Sequence, residues 1–161
     1  MIAVFKAAVA KLMRYAAKGA DGESVRDAMF IEGLGMGGDF HAQGGQRQVS
    51  FLSLEDVRWM QSKAEPGLCF GRYKANILLD TDVPPDEQYA PATMPETFVP
   101  GQRVTIGDAI FEITDTGKKC FEVCPLFSRE FTCPLAGRNL FASVVQSGIV
   151  CLGDDAVAVM L

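Results

Sequence analysis

The sequence is poor in several features that mark common classes of protein, namely histidine, tryptophan, basic residues and long apolar runs. It contains one histidine and one tryptophan, and 20 acidic residues outnumber 15 basic ones, which gives a net charge of −5 and a pI near 4.9. That balance argues against nucleic acid or an anionic membrane as the main partner. No apolar run approaches the roughly 18 residues of a transmembrane helix, so we expect neither a nucleic-acid nor a membrane partner.

The N-terminal segment also lacks the continuous apolar stretch of a secretory signal peptide, because Lys6 and Lys11 interrupt it. The five cysteines are an odd number. Without a signal peptide, a disulfide framework is not expected. We therefore expect a cytoplasmic protein.

Length and composition predict one globular domain spanning residues 1–161. A chain of this size buries roughly two-thirds of its unfolded surface, and 48% hydrophobic with 22% charged residues is ordinary for a soluble domain. Five of the eight prolines fall between residues 80 and 101. That run predicts a long surface loop, which would be either a lid or an insertion.

Short strands bounded by glycine turns predict a mostly β protein. Residues 103–114 form the clearest hairpin, with Gly107 and Asp108 at the turn. Residues 150–159 repeat this format, and a turn role is sufficient for Asp108 and for Asp154. Further strands are predicted over residues 47–52 and 75–79. Together these patterns favour a mostly β barrel with a few short helices.

Two helices are predicted. The first begins at Ser53, whose side chain can cap it, and Glu55 and Asp56 follow in the first turn, where the helix dipole favours acids. The second runs from Asn139 to Ser147, with Gly148 as its C-cap.

Residues 2–18 are ambiguous. Their alanine, leucine, methionine and lysine content favours a helix. Their apolar residues also alternate as they would in a strand, so periodicity alone does not decide between the two.

A glycine-rich stretch over residues 29–45 could carry a binding loop. Its six glycines forbid regular structure, and no Gly-Lys-Ser/Thr follows that would make it a P-loop. Asp39 and His41 lie in this stretch, with Arg47 just beyond. Two interpretations are open: an anion or cofactor contact presented from a loop, or a surface histidine beside an aspartate that satisfies a backbone turn.

Three cysteines, Cys120, Cys124 and Cys133, fall close together in sequence. Lys118 and Lys119 precede the first of them, and adjacent cations lower the pKa of a thiol. A thiolate pair of this kind can hold and resolve a persulfide or bind a soft metal. Two alternatives stay open. The three thiols and His41 could together bind zinc, although their spacing matches no common zinc pattern, or the cysteines could be small buried apolar residues.

A third, looser set of polar residues consists of Arg47, Arg72, Lys74 and Asn76. Asn76 could hydrogen-bond the edge of a ligand, or it could satisfy local backbone where a strand begins. Cys69 and Cys151 have apolar sequence neighbours and are expected in the core.

Taken in order, these stretches resemble the MOSC domain, named for the C-terminal domain of molybdenum-cofactor sulfurases. The resemblance runs from about Met29 to the C-terminus. It rests on the ordered set GGDFHA, RQVSFLS, GLCFGRYKANI, PGQRVTIGDAIFEIT, the cysteine segment and NLFASVVQSGIVCLGDD. The sequence is most similar to the small stand-alone bacterial type, whose extra cysteines correspond to Cys124 and Cys133.

The resemblance implies a closed, twisted β-barrel of the pyruvate-kinase-barrel-like kind, with a strand at the N-terminus. It places the family's signature thiol at Cys120, which would carry a persulfide or bind the molybdenum of the molybdenum cofactor (molybdopterin). Cys124 and Cys133 would be accessory thiols. The cofactor-binding positions would be Asp39, His41, Arg47, Asn76, Lys118 and Lys119.

The function that follows is a sulfur carrier or transfer domain associated with the molybdenum cofactor. A cysteine desulfurase, a molybdoenzyme or a cofactor-biosynthesis protein would be its partner, and no pyridoxal phosphate is expected on this domain itself. Two alternatives are a binding module that carries the cofactor without turnover, and a cysteine-rich barrel with a structural zinc or iron–sulfur site.

Overall fold

The computed structural model describes residues 3–63, 74–81, 98–116 and 139–160. Several residues singled out in the sequence lie outside these ranges: Cys69, Arg72, Lys118, Lys119, Cys120, Cys124, Cys133 and most of the proline-rich loop. The strands in chain order are β1 (Ala3–Arg14), β2 (Glu23–Val25), β3 (Asp27–Ile31), β4 (Gly35–Met36), β5 (Val49–Ser53), β6 (Ile77–Asp80), β7 (Arg103–Ile106), β8 (Ala109–Thr116), β9 (Leu140–Gln146), β10 (Gly148–Cys151) and β11 (Asp155–Met160).

Seven of these strands form a closed barrel, as expected from the sequence. Their order is β11-β7-β8-β9-β5-β6-β1, and β1 pairs back onto β11 to close the ring. Neighbouring strands are antiparallel except β5 and β6, which are parallel. β2 pairs with the far end of β1, and a second sheet, β10-β3-β4, lies beside the barrel.

The ambiguous N-terminal segment is the strand that closes the barrel. β1 pairs with β11 from Ala3 to Ala8 and with β6 from Ala8 to Leu12, with a register shift after Val9. Inward positions such as Val9 and Leu12 are buried. Pairing on both sides outweighs the helix preference of the alanines, since strand formation depends more on neighbours than on intrinsic propensity.

Aromatic side chains from both sheets meet in the core. Phe111 of β8 contacts Phe51 of β5 and Phe30 of β3 in edge-to-face geometry, with ring centroids 5.3 and 5.1 Å apart. All three are buried. Because Phe30 belongs to the second sheet, this aromatic contact joins the inner face of that sheet to the barrel.

Helix α1 (Leu54–Gln61) begins where the sequence predicts. The hydroxyl of Ser53 accepts a hydrogen bond from the backbone N–H of Asp56 at 3.1 Å. Glu55 is buried in the first turn. No helix in the described part of the chain is long and apolar enough to cross a membrane.

The helix predicted over residues 139–147 is wrong: residues 140–146 form strand β9. β9 lies between β5 and β8 in the barrel, and Leu140, Phe141 and Ala142 are consecutively buried. A short apolar run buried on both faces does not alternate, and its spacing can imitate one face of a helix.

Three further expectations near this segment are corrected. Gly148 is the first residue of β10 and not a helix cap. Cys151, expected in the core, is exposed because it occupies an outward position of β10. The hairpin predicted over residues 150–159 is also wrong: the turn at Gly153 is present, but β10 pairs with β3 while β11 pairs with β1 and β7, so the turn carries the chain from one sheet to the other.

We expect Gly148→Ala to lower the free energy of unfolding by about 3 kcal/mol, the upper part of the usual range for overpacking. A Cβ at this position would lie 2.5 Å from the backbone nitrogen of Ala109, and backbone cannot move aside as a side chain can.

The matched control is Gly153→Ala. Gly153 has a φ of +86° but no atom within 4 Å of a Cβ, so the change costs about 1 kcal/mol of backbone strain. Urea denaturation of both variants makes the comparison, and equal losses would contradict the close approach at Gly148.

Glu55 is expected to make folding stability depend on pH. Burial raises the pKa of Glu55; a hydrogen bond from its own backbone opposes this, and the Asp80 carboxylate adds to the increase. Because the pKa of Glu55 is higher in the folded state, its contribution to the free energy of unfolding is fully present below the pKa that Glu55 has in the unfolded chain. It is lost as the pH rises through the folded value.

Glu55→Gln should therefore increase stability at neutral pH and leave it nearly unchanged at acid pH. Urea denaturation at several pH values measures this, with the exposed Glu32→Gln as the control. A Glu55→Gln variant that is less stable at neutral pH would contradict the expectation.

Candidate functional site

Asp39 is a buried carboxylate that holds three parts of the fold together. It lies in the loop after β4, and its side chain is 0% exposed. Its Oδ1 accepts hydrogen bonds from the backbone N–H of Tyr15 at 2.8 Å and from Nδ2 of Asn76 at 3.1 Å. Its Oδ2 accepts from the backbone N–H of His41 at 2.9 Å. A buried carboxylate needs this number of donors to offset its lost hydration.

Asn76 connects this carboxylate to the barrel strands. It is buried just before β6, and its Nδ2 also donates to the carbonyl of Met13 at 3.2 Å. Its Oδ1 accepts from the backbone N–H of Ser50 at 3.1 Å. The side chain thereby bridges the end of β1 and the start of β5, in addition to the Asp39 loop. Each of its polar atoms has a protein partner, as the backbone-satisfying interpretation of Asn76 requires.

His41 carries the exposed part of this group. Its Nδ1 lies 3.1 Å from Oδ2 of Asp39, and its side chain is 51% exposed. Since a carboxylate accepts, Nδ1 is the donor in this contact, and Asp39 makes no use of the second ring nitrogen, Nε2. Among the described residues Nε2 makes no hydrogen bond. We refer to Asp39, His41 and Asn76 together as the Asp39 cluster.

A tyrosine and two cations lie around the cluster. Burial raises the pKa of Tyr15, and the Asp39 carboxylate raises it further, so its phenol stays neutral. Nζ of Lys74 lies 5.8 Å from the centre of the Tyr15 ring. Arg14 lies against the loop, since a Cβ on Gly38 would be 3.0 Å from its Cδ. Gly38 has a φ of +80°, which favours glycine here.

Arg47 lies apart from the Asp39 cluster. Its guanidinium donates to Oδ2 of Asp115 at 2.6 and 3.2 Å and sits 4.4 Å from the centre of the Phe141 ring. The hydrogen bond from Arg47 is the main reason that the pKa of Asp115 is lowered. No local sequence pattern indicates this partner, because Asp115 is 68 positions away in the chain.

No three histidine, cysteine, aspartate or glutamate side chains are arranged to hold a metal ion in the part of the chain that the structure describes. The proposed zinc ligands other than His41 lie outside it. Of the residues predicted for the site, the structure therefore brings together Asp39, His41 and Asn76, and it places Arg47 beside Asp115. Tyr15 joins the cluster through its backbone N–H, for which a sequence carries no signal.

Comparison with known proteins supports the fold and leaves the family open. No family model and no curated protein matches the sequence. Among solved structures, the YuaD protein from Bacillus subtilis is 17% identical, with full coverage of both chains and a TM-score of 0.65. YiiM from Geobacillus stearothermophilus is 13% identical over 96% of this chain and 75% of that one, with a TM-score of 0.61.

YiiM from Escherichia coli is also similar, at 13% identity over all of this chain and 70% of that one, with a TM-score of 0.54. At these identities the likeness shows the fold alone. It is consistent with a small barrel of the MOSC-like kind.

We expect Asp39→Asn to be more damaging to stability than His41→Ala. In either orientation the asparagine amide would direct an N–H toward another donor, either the backbone N–H of His41 or the N–H groups of Tyr15 and Asn76. Buried donors would then be unpaired, at a cost of about 1–3 kcal/mol. Loss of the half-exposed imidazole should cost less than about 1 kcal/mol. Chemical denaturation measures both, and a reversed order would show that the buried carboxylate does not hold the loop.

Proposed function

We propose that this protein is a MOSC-domain protein that handles sulfur for the molybdenum cofactor, with Cys120 as the thiol that accepts it. The observation that carries the proposal is the position of the Asp39 cluster. It lies at the same end of the barrel as the end of β8, from which the chain continues toward Cys120.

The strand register supports this placement. Thr116, the last residue of β8, pairs with Leu140, which pairs with Phe51. Phe51 pairs with Ile77, and Ile77 with Leu12. These pairs run around one end of the barrel. Asn76 of the Asp39 cluster directly precedes Ile77, and its side chain is hydrogen-bonded to Ser50 and Met13, which adjoin Phe51 and Leu12.

Chain length limits how far Cys120 can be from this end. It lies four positions after Thr116, and a fully extended chain spans at most about 3.6 Å per residue. Cys120 is therefore within about 14 Å of the end of β8 in any conformation. Lys118 and Lys119, in the same short stretch, would favour its thiolate form.

The described residues suit an anionic ligand at this end. His41 as an imidazolium would donate from Nε2, while Arg14 and Lys74 supply positive charge beside the loop. Arg47 is held by Asp115 and would orient the start of β5. These are appropriate contacts for the phosphate of a pterin cofactor. The molybdenum cofactor, when bound, would supply a metal centre that accepts a thiolate ligand.

The sulfur step needs one thiolate and a persulfide donor. The Cys120 thiolate attacks the outer sulfur of the donor R–S–SH, the donor's S–S bond breaks, and R–S⁻ leaves with Cys120–S–SH formed. A cysteine desulfurase, whose own cysteine carries such a persulfide, is the partner proposed to supply it.

Cys120→Ala is expected to abolish sulfur loading. The protein is incubated with a cysteine persulfide or with a desulfurase and cysteine, and intact mass is measured with and without reductant. Wild type should gain one reductant-labile sulfur atom, mapped to the peptide that contains Cys120. The thermal transition of the variant should be unchanged.

Cys151→Ala is the matched control. Cys151 is exposed, but loss of hydration and the nearby acids Asp154, Asp27 and Asp108 raise the pKa of its thiol. A thiol that stays protonated reacts poorly, so this variant should load as wild type does. Undiminished loading of Cys120→Ala would exclude the proposed role. Stoichiometric loading with no release to an added thiol acceptor would favour a carrier over a transferase.

A further inference from the structure

The second sheet presents a continuous apolar surface to solvent. In β3 the residues alternate between exposed and buried, and Met29 and Ile31 are 49% and 36% exposed. In β10 the outward residue Ile149 is 48% exposed and is paired directly with Met29. We call Met29, Ile31 and Ile149 the apolar face. An apolar cluster of this kind, bordered by polar residues, marks an interaction site more often than isolated exposed residues do.

Two more exposed apolar residues extend the apolar face at its ends. Leu34, 45% exposed, lies in the turn that follows Ile31, and Leu152, 42% exposed, lies just after β10. Of the six large apolar residues exposed among the described ranges, these five belong to or adjoin the face. The sixth, Val99, precedes β7.

β4 and the residue after it border the apolar face with glycines. Gly35 pairs with Ile31, and the N–H of Gly37 donates to the carbonyl of Met29 at 2.8 Å. Neither glycine has a side chain that could shield its neighbours. A Cβ on Gly37 would be 3.8 Å from Cδ1 of Ile31, so that side chain already leans over the glycine. Gly35 itself is buried, since a Cβ there would lie 2.8 Å from the carbonyl oxygen of Gln48 and 3.2 Å from Cα of Ala42.

Acids outnumber cations around the apolar face. The cations that adjoin it are Arg14, whose guanidinium donates to the carbonyl of Gly37, and Arg26, whose carbonyl accepts from the N–H of Leu152. The stretches that build it or touch it, residues 27–37, 104–109 and 146–154, contain four acids and no lysine or arginine. The acids are Asp27, Glu32, Asp108 and Asp154. Asp27 shares the outward side of β3 and pairs with Cys151. Arg26, directly before β3, is the nearest cation in sequence.

We propose that the apolar face binds another protein, one whose surface has an apolar centre flanked by lysine or arginine. Charge complementarity selects this occupant. A second copy of the chain, docked face to face by a two-fold axis, would bring the same acids together, and like charges in an interface disfavour association. This inference does not depend on the function proposed above, since it uses neither Cys120 nor the Asp39 cluster.

Synthetic β-strand peptides test the proposal. One peptide alternates leucine with lysine, a second alternates leucine with glutamate, and a third alternates serine with lysine. Binding is followed by the methyl NMR signal of Met29 in the intact protein. The leucine–lysine peptide should shift this signal and bind at least about tenfold more tightly than either other peptide, a difference of about 1.4 kcal/mol.

Variants locate the binding. Met29→Gln combined with Ile149→Thr should weaken the leucine–lysine peptide by at least about tenfold. This double variant has no Met29 and therefore no Met29 NMR signal, so its binding is measured by fluorescence anisotropy of a labelled peptide. Asp27→Asn with Asp108→Asn should weaken binding and reduce its dependence on salt. Val99→Thr, an exposed apolar site away from the face, should change nothing. Thermal unfolding of each variant confirms that the fold is intact.

Three results would overturn the proposal. One is equal affinity for the leucine–lysine and leucine–glutamate peptides, and another is an unmoved Met29 signal. The third is sedimentation velocity showing a dimer that Met29→Gln with Ile149→Thr dissociates, because the occupant would then be a second copy. Sulfur loading of these variants should match wild type, so failure here and failure of the proposed function are distinguishable.

Discussion

The pairing of β1 with β11 is the constraint on which the rest of the structure depends. It closes a sheet that would otherwise have two open edges, and closure removes the unpaired backbone groups that sheet edges expose. It also fixes where β1 ends. The chain leaves the barrel at Tyr15, and the backbone N–H of that residue is one of the donors to Asp39. Barrel closure thus positions part of the candidate site.

The Asp39 cluster shows how a buried charge can order an exposed group. The carboxylate is satisfied by donors from three separate segments, and this leaves one oxygen to hold Nδ1 of His41. The imidazole is on a loop, yet its orientation is tied to the barrel through Asn76. A loop anchored in this way can place a functional group nearly as well as a strand does.

Part of the fold could be predicted from the sequence, because tight turns are local signals, although of the two predicted hairpins only the one that turns at Gly107 consists of two paired strands. Gly107 and Gly153 each sit at a turn with φ above zero, as expected. The two elements that were hard to assign are β1 and β9. For both, composition or spacing suits a helix, and the deciding factor is pairing with strands distant in sequence, which no local pattern contains.

The site was predictable to the extent that its residues lie in short motifs. Asp39, His41 and Asn76 were singled out, and the structure brings them together. Their hydrogen bonds could not be assigned, since those run through backbone groups of Tyr15, Met13 and Ser50. Arg47 was grouped with them by proximity to the loop, whereas its partner Asp115 comes from the far part of the chain.

The closure of the barrel has a consequence for the kinetics of folding. Ala3 pairs with Met160, so the contact that completes the ring joins residues at nearly opposite ends of the sequence. Contacts of such long range form slowly. During synthesis, β1 leaves the ribosome long before β11 exists, and until then one of its edges has no partner. In that interval only pairing with β2 and β6, which involves residues 8–14, opposes the helix preference of its alanines. The pairing of β1 from Ala3 to Ala8 has to wait for β11.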